Sequence, residues 1–432
     1  MSLKIEDRSQ KPYILLRIFL LSLISLPLQV SADTYNFELT PAISVGEMYD
    51  DNIDLDSTDK KSDYITTISP SISLNTLFEK RHLELVYAPT IVRYAEEEEN
   101  NTVRHSVILT FSQELSQSLK IDLTDTYFKT EDPIEEDEEV ETVRHARKTY
   151  QRNNGQASLS YLFGAENALM LGYSLSLLKN EDIDIDGGRT NKPFVTLSYW
   201  FNKKKGVELS YGFTKAVFWR EDVSEGEDDH TGHDAGISYI YRFTLHTTGS
   251  VGYDFTNRNF AGNTEDYHVH EGTIGFNHAF SPDLSLAIEC GYFTQNNKRS
   301  DNEKGINYDA LFAKQFEHGR FTLGGNGGWN EAYLDVERRG FSRYWSAYSM
   351  FEYLVTERLS CYAGGSYRWD KDEDSKEWEV MRGSCGLKWA FLERFFLSMD
   401  YSYAERDDDD DESDYKSNRV MLTLSTDRLF RW

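Results

Sequence analysis

The sequence predicts an all-β protein, a transmembrane antiparallel β-barrel of about 20 strands, with 18 as the alternative count. Three observations predict it: strands of period two with one apolar and one polar face, connections that alternate between short and long, and a last strand that stops on an aromatic residue. A barrel needs apolar side chains only toward lipid, so half of each spanning strand can stay polar. The composition agrees: 39% of residues are hydrophobic, yet 27 Tyr, 25 Phe and 8 Trp are present, as interfacial aromatic girdles require.

The N-terminus sets the compartment. Lys4, Arg8, Lys11 and Arg17 precede an apolar run over residues 18–28, and Val30-Ser31-Ala32 supplies small residues for cleavage before Asp33. This predicts a secretory signal peptide over residues 1–32 and a single barrel domain over residues 33–432. The apolar run is about half the ~20 residues a spanning helix needs.

Alternation then runs down the chain. Phe37, Leu39, Pro41, Ile43 and Val45 share a face, as do Ile68, Ile72 and Leu74, then Leu83, Leu85, Tyr87 and Ile91. Later runs include Leu169 to Leu177, Val207 to Phe213, Ile237 to Phe243 and Phe395 to Tyr403, with Ser, Thr and Gly at many positions between. Pro41 makes the first strand the least regular. Nine short turns are read near residues 79–81, 116–118, 165–167, 203–205, 245–246, 281–283, 317–319, 356–357 and 392–393. Between them lie longer acidic segments, such as 50–63, 95–101, 131–141, 181–188, 221–234 and 405–414. Short periplasmic turns facing long external loops is the barrel pattern. Val420, Leu422, Leu424, Phe430 and Trp432 share one face of the final strand, with Arg428 as the departure. Phe430 and Trp432 form the expected membrane-insertion signal, for which the partner is the barrel-assembly machinery.

The first mature segment carries a P-x-hydrophobic-S-V strand at Pro41 to Val45, a Y-D-D-N step at Tyr49 to Asn52, Ser62-Asp63 before I-T-T-I-S-P, and Tyr87-Ala88-Pro89. In these features it resembles a family of outer-membrane β-barrel porins found with exopolysaccharide and PEP-CTERM export loci. The resemblance covers about the first 70 mature residues. It implies the bacterial outer membrane, the barrel fold and a role near surface polysaccharide export, and it implies no catalytic residue.

The net charge of −27 excludes a general nucleic-acid binder and suits a surface that attracts cations. No cofactor is expected; Ca²⁺ and other divalent cations are the ions that the acidic loops would draw, since hard cations take six to eight oxygen ligands. The candidate ligands are Asp182, Asp184 and Asp186, followed by Gly187 but lacking the distal Glu of an EF-hand, together with Asp408 and Asp410 in the run 407–411. His230 and His233, set among Asp228, Asp229 and Asp234, form an H-x-x-H candidate for a transition metal. The alternative for all of them is solvated loop charge. Cys361 and Cys385 lie opposite each other, within disulfide reach, if their hairpin is centred near Glu373; Cys290 is left over. His268 and His270 share a strand face near a loop. No nucleophile elbow, phosphate-binding loop or dinucleotide fingerprint occurs, so no enzyme is expected.

Two functional readings follow. One is passive passage or export of small or polysaccharide-related solutes through a cation-favouring lumen. The other is a plugged barrel that anchors surface exopolysaccharide or its export proteins. In both, outer-membrane lipid and lipopolysaccharide are the surroundings, and nucleic acid is not a partner.

Overall fold

The computed structural model describes residues 36–132, 134–136, 141–143, 147–181, 187–219, 229–262, 264–299, 301–332, 340–372, 376–409 and 413–431. The strands are β1 (Asn36–Asp50), β2 (Asp63–Phe78), β3 (Arg81–Tyr94), β4 (Thr102–Ser116), β5 (Leu119–Thr130), the short β6 (Ile134–Glu136) and β7 (Glu141–Val143), β8 (Tyr150–Leu162), β9 (Ala168–Asn180), β10 (Gly187–Asn202), β11 (Lys205–Trp219) and β12 (His230–Arg242). They continue as β13 (Thr247–Phe260), β14 (Tyr267–Ser281), β15 (Leu284–Asn297), β16 (Lys304–Phe316), β17 (Gly319–Ala332), β18 (Gly340–Thr356), β19 (Leu359–Asp372), β20 (Glu377–Leu392), β21 (Phe395–Asp408), β22 (Tyr415–Asp427) and the short β23 (Phe430–Arg431). Each long strand pairs antiparallel with its sequence neighbours, and β1 closes the sheet by pairing with β22. The result is a closed barrel of 20 long strands; β6 and β7 form a separate ribbon. Closure satisfies every ladder and removes both edges, which is what permits strands to stand in hydrocarbon. All nine short turns fall where the sequence placed them.

Strand parity separates the faces. Contacts between strands that are not neighbours can be made only on the concave side, and Arg258 of β13 reaches Glu331 of β17 while Trp329 of β17 reaches Glu271 of β14. The residues alternating with Arg258 and Glu271 therefore face outward. They include the exposed Ile43, Val45, Leu171, Leu209, Ile237, Val251, Ile274, Leu387, Leu422 and Leu424, an apolar band for lipid. Near the short turns the band ends in Tyr161, Tyr199, Phe201, Phe243, Phe280, Phe316, Tyr353, Trp389 and Phe395.

At the other rim a diagonal contact repeats. Tyr87 and His105, Tyr211 and His233, and Tyr253 and His270 join a phenol oxygen to imidazole Nδ1 at 3.0, 2.8 and 2.7 Å. Tyr173 and Tyr401 donate to Asn191 and Asn418 in the same way, at 2.7 and 2.8 Å. In each case the partner sits on the next strand, one outward position closer to the long loops than the residue directly opposite the Tyr. Rings in the apolar layer with satisfied hydroxyls mark this rung as the outer interface.

Two local departures have physical reasons. Pro41 does not interrupt β1. The pairing of β1 with β22 ends at Ala42↔Asp427 and resumes with β23 at Leu39↔Phe430, so the residue without an N–H falls where the ladder is already broken. In the same break the Arg428 guanidinium lies over the Phe430 ring at 4.7 Å, which accommodates a charge on the outward face. The expectation that Cys361 and Cys385 oppose each other is corrected. The hairpin is centred one residue later, Cys361 pairs with Leu387 and Cys385 with Ala363, and all three cysteines are free.

The seam gives a direct test. In a variant with the three native cysteines replaced by Ser, Val45→Cys with Leu424→Cys should form an oxidative crosslink that removes the seam's freedom to open. Val45→Cys with Leu387→Cys should not. Gel mobility before and after heating reads both.

Candidate functional site: the lumen and its mouth

The lumen narrows at the loop end, where the chain folds inward from two sides. The first is the connection over residues 51–62. Asn52 is fully buried; its amide donates to the Asp56 and Lys416 carbonyls at 2.8 and 3.1 Å, and its Oδ1 accepts from the Asp56 N–H at 3.0 Å. The Asp56 carboxylate accepts the backbone N–H groups of Asp59 and Thr58, which hold it below the usual carboxylate range. The loop thus turns on its own polar groups and presents Ile53 to Ile65, Val92 and Tyr94, with Met48 alongside. Leu55 packs on Tyr415. Arg147, entering from the segment before β8, donates to the Tyr94 hydroxyl at 2.8 Å and to the Ile53 carbonyl.

The second is the top of the β17–β18 hairpin. Pairing of β17 with β16 stops at Tyr308↔Gly327, whereas pairing with β18 continues to Ala332↔Gly340. Freed from β16, the hairpin lies across the inner wall. Phe341 and Trp329 join Tyr267, Val269, Phe293 and Phe260 in an apolar cluster. Arg258 is 6% exposed and bridges Asp234 at 2.9 Å and Glu331 at 2.7 Å, and Glu331 also accepts from the Tyr267 hydroxyl at 2.6 Å. Two carboxylates clamp one buried guanidinium, so wall and hairpin are fastened together.

Below the mouth the wall is polar and open. On β13–β16 Asp254 stands directly opposite Glu271, and Glu289 directly opposite Asp309. Asp254, Glu289 and Asp309 are exposed to the lumen. Glu271 accepts the Trp329 indole N–H at 2.6 Å and an Asn307 amide N–H. Among the described residues, none of the four carboxylates makes an ion pair. The Asp254 carboxylate lies so close over Gly236 that a Cβ there would meet it at 2.4 Å.

Several other lumenal charges are paired. Arg368 binds Asp370 at 2.7 Å, Arg406 binds Asp408 at 2.7 Å, Arg419 binds Asp50 at 2.8 Å, and Arg104 binds Glu131 at 2.8 Å. Between β18 and β22 a cavity of about 340 Å³ is lined by Tyr348, Arg382, Ser384, Ser402, Ser417 and Arg419. Hydroxyls and guanidinium groups of this kind suit hydroxylated solutes.

Parity decides the fate of the sequence candidates. His230 is buried between the rings of Phe218 and Phe260, facing inward, while His233 faces outward against Tyr211. An H-x-x-H pair converges on a helix; on this strand it diverges, so the two do not form one metal site. Asp408 is not loop charge but the buried partner of Arg406 at the end of β21. Asp182, Asp184, Asp186, Asp410 and Trp432 lie outside the described residues. Phe430 is on β23, 38% exposed, opposite Leu39. His268 and His270 share the outward face, with ring centroids 5.1 Å apart. The four unpaired carboxylates were not singled out from sequence. Their signal was Asp or Glu at lumenal parity in four consecutive strands.

A closed barrel with this outward apolar band and two aromatic rims is a protein of the bacterial outer membrane. Residues 34–175 match the family model described as "Putative beta-barrel porin 2". No curated protein matches the chain. Among solved structures the chain is similar in fold to the siderophore receptor PirA from Pseudomonas aeruginosa, with a TM-score of 0.52, 8% identity, and coverage of 90% of this chain and 80% of that one. OccK2 (OpdF) of the same organism gives 0.45 at 10% identity, covering 90% and 98%. Its outer membrane protein opdK gives 0.43 at 10% identity, covering 91% and 99%.

Arg258→Leu should leave Asp234 and Glu331 facing each other without their shared cation. Breaking a buried ionic cluster from one side costs about 3–5 kcal/mol, so the urea midpoint of the refolded variant should fall clearly below that of Lys416→Gln at the rim.

Proposed function

We propose that the chain is a water-filled outer-membrane channel for passive passage or export of small or polysaccharide-related solutes, favouring cations and neutral solutes over anions. It acts as a channel and not as an enzyme. The observation that carries this reading is the set Asp254, Glu271, Glu289 and Asp309. They are four carboxylates on one stretch of lumenal wall, with no cationic partner among the described residues. Carboxylates lining a low-dielectric passage concentrate cations and repel anions. The paired arginines elsewhere contribute little net field. Phe430 and the C-terminal strand would be read by the barrel-assembly machinery.

Planar-bilayer recording of the signal-free protein tests this. Stable conductance steps are expected, with a reversal potential in a KCl gradient on the cation side. The preference should weaken at high salt, as the Debye length shrinks to roughly 3 Å at 1 M. The quadruple variant Asp254→Asn, Glu271→Gln, Glu289→Gln, Asp309→Asn should move the reversal potential toward zero while leaving the steps in place. An unchanged potential would remove these residues from the selectivity mechanism.

The inward-folded mouth favours a second reading, a plugged barrel that anchors surface exopolysaccharide or its export proteins. Deleting residues 53–61 separates the two. A channel narrowed by the loop gains conductance. A plugged barrel is silent as wild type.

A further inference from the structure

We propose that the outward face of β10–β14, just above the tyrosine rung, binds a phosphorylated glycolipid of the outer leaflet, with Arg189 and Lys215 holding its phosphate. The chain carries 73 acidic residues, yet none occupies the outward face of any of these five strands. From β10 to β14 the polar outward positions toward the long loops are Arg189 and Asn191, Lys215, Thr231 and His233, Asn257 and Asn259, and His268 and His270, with Val217 and Trp219 above Lys215. On the facing arc, outward positions at the same height carry Glu379, Glu405 and Asp407, and Glu47 lies on β1. Against a net charge of −27, an acid-free outward face that carries Arg189 and Lys215 near the loops has a sign complementary to phosphate.

The geometry supplies two cations to one ligand. Arg189 pairs with Val217 and Lys215 with Asn191, so the two are diagonal neighbours on adjacent strands, within about 7–8 Å at the backbone. Arg189 Nε is buried with no hydrogen-bond partner, and Lys215 is exposed with no ion pair among the described residues. A phosphate between them would receive charge-assisted hydrogen bonds from both. Lys179 on β9 is a further exposed outward cation with no ion pair among the described residues, whereas Lys129 on β5 is already paired with Glu181. The rung beneath, where His233 and His270 meet Tyr211 and Tyr253, sets the height of the site at the headgroup boundary. Below it, Leu209, Ile237, Val251 and Ile274 offer an apolar wall to acyl chains.

The test uses the full barrel in mild detergent, titrated with bisphosphorylated lipid A or with lipid A stripped of both phosphates, and read by native mass spectrometry. The wild type should bind the phosphorylated form roughly tenfold or more tightly, the factor that a pair of charge-assisted contacts supplies. Arg189→Gln with Lys215→Gln should lose that preference, while Lys416→Gln on the facing arc should keep it. Heat-modifiable mobility shows that each variant is folded. Equal binding of the two lipids by the wild type, or an undiminished preference in the double variant, would overturn the assignment.

Discussion

One constraint governs the molecule: in hydrocarbon, every backbone N–H and C=O must find a partner in the chain itself. Pairing of β1 with β22 meets it, because it turns a sheet with two open edges into a ring with none. Alternation, turn length and the placing of Pro41 are all subordinate to that closure. Pro41 is tolerated only because the seam passes from β22 to β23 at its position. Once the ring is closed, parity has absolute meaning. Each residue faces either lipid or lumen, and a shift of one position exchanges the two.

Parity also explains how one acidic chain keeps two kinds of charged surface. The outward face is apolar between its aromatic rims and acid-free over β10–β14. The inward face holds the buried ion pairs. There most arginines answer a specific aspartate, as in Arg406 with Asp408. Asp254, Glu289 and Asp309 are instead exposed on the lumenal wall, and Glu271 accepts hydrogen bonds from Trp329 and Asn307. The buried apolar clusters sit at the loop end, where the inward folds pack on the wall.

The barrel was legible because period two and turn spacing are local signals that recur along the chain. Tyr211, Leu209 and Val207 could be assigned to lipid from spacing alone. What could not be read was anything that depends on crossing the ring. Arg258 and Glu331 are 73 residues apart in sequence, and no local pattern joins them. His230 and His233 misled in the opposite way: read as part of an acidic loop, they lie on β12, where a spacing of three puts them on opposite faces. Cys361 and Cys385 show how narrow the margin is: displacing a hairpin centre by one residue slides cross-strand partners two positions apart.

The upper β17–β18 hairpin has a mechanical consequence. A loop that blocks a passage can swing aside by turning a few backbone dihedrals. Here part of the obstruction is the wall itself, a ladder continuous from Gly319↔Tyr353 to Ala332↔Gly340 and clamped by Arg258. Displacing it means breaking hydrogen-bonded rungs together with a buried ionic cluster. Such an aperture has the stiffness of a sheet and keeps the dimensions it acquires when the barrel folds. Its electrical signature would be a quiet current of fixed size rather than the flicker of a moving gate.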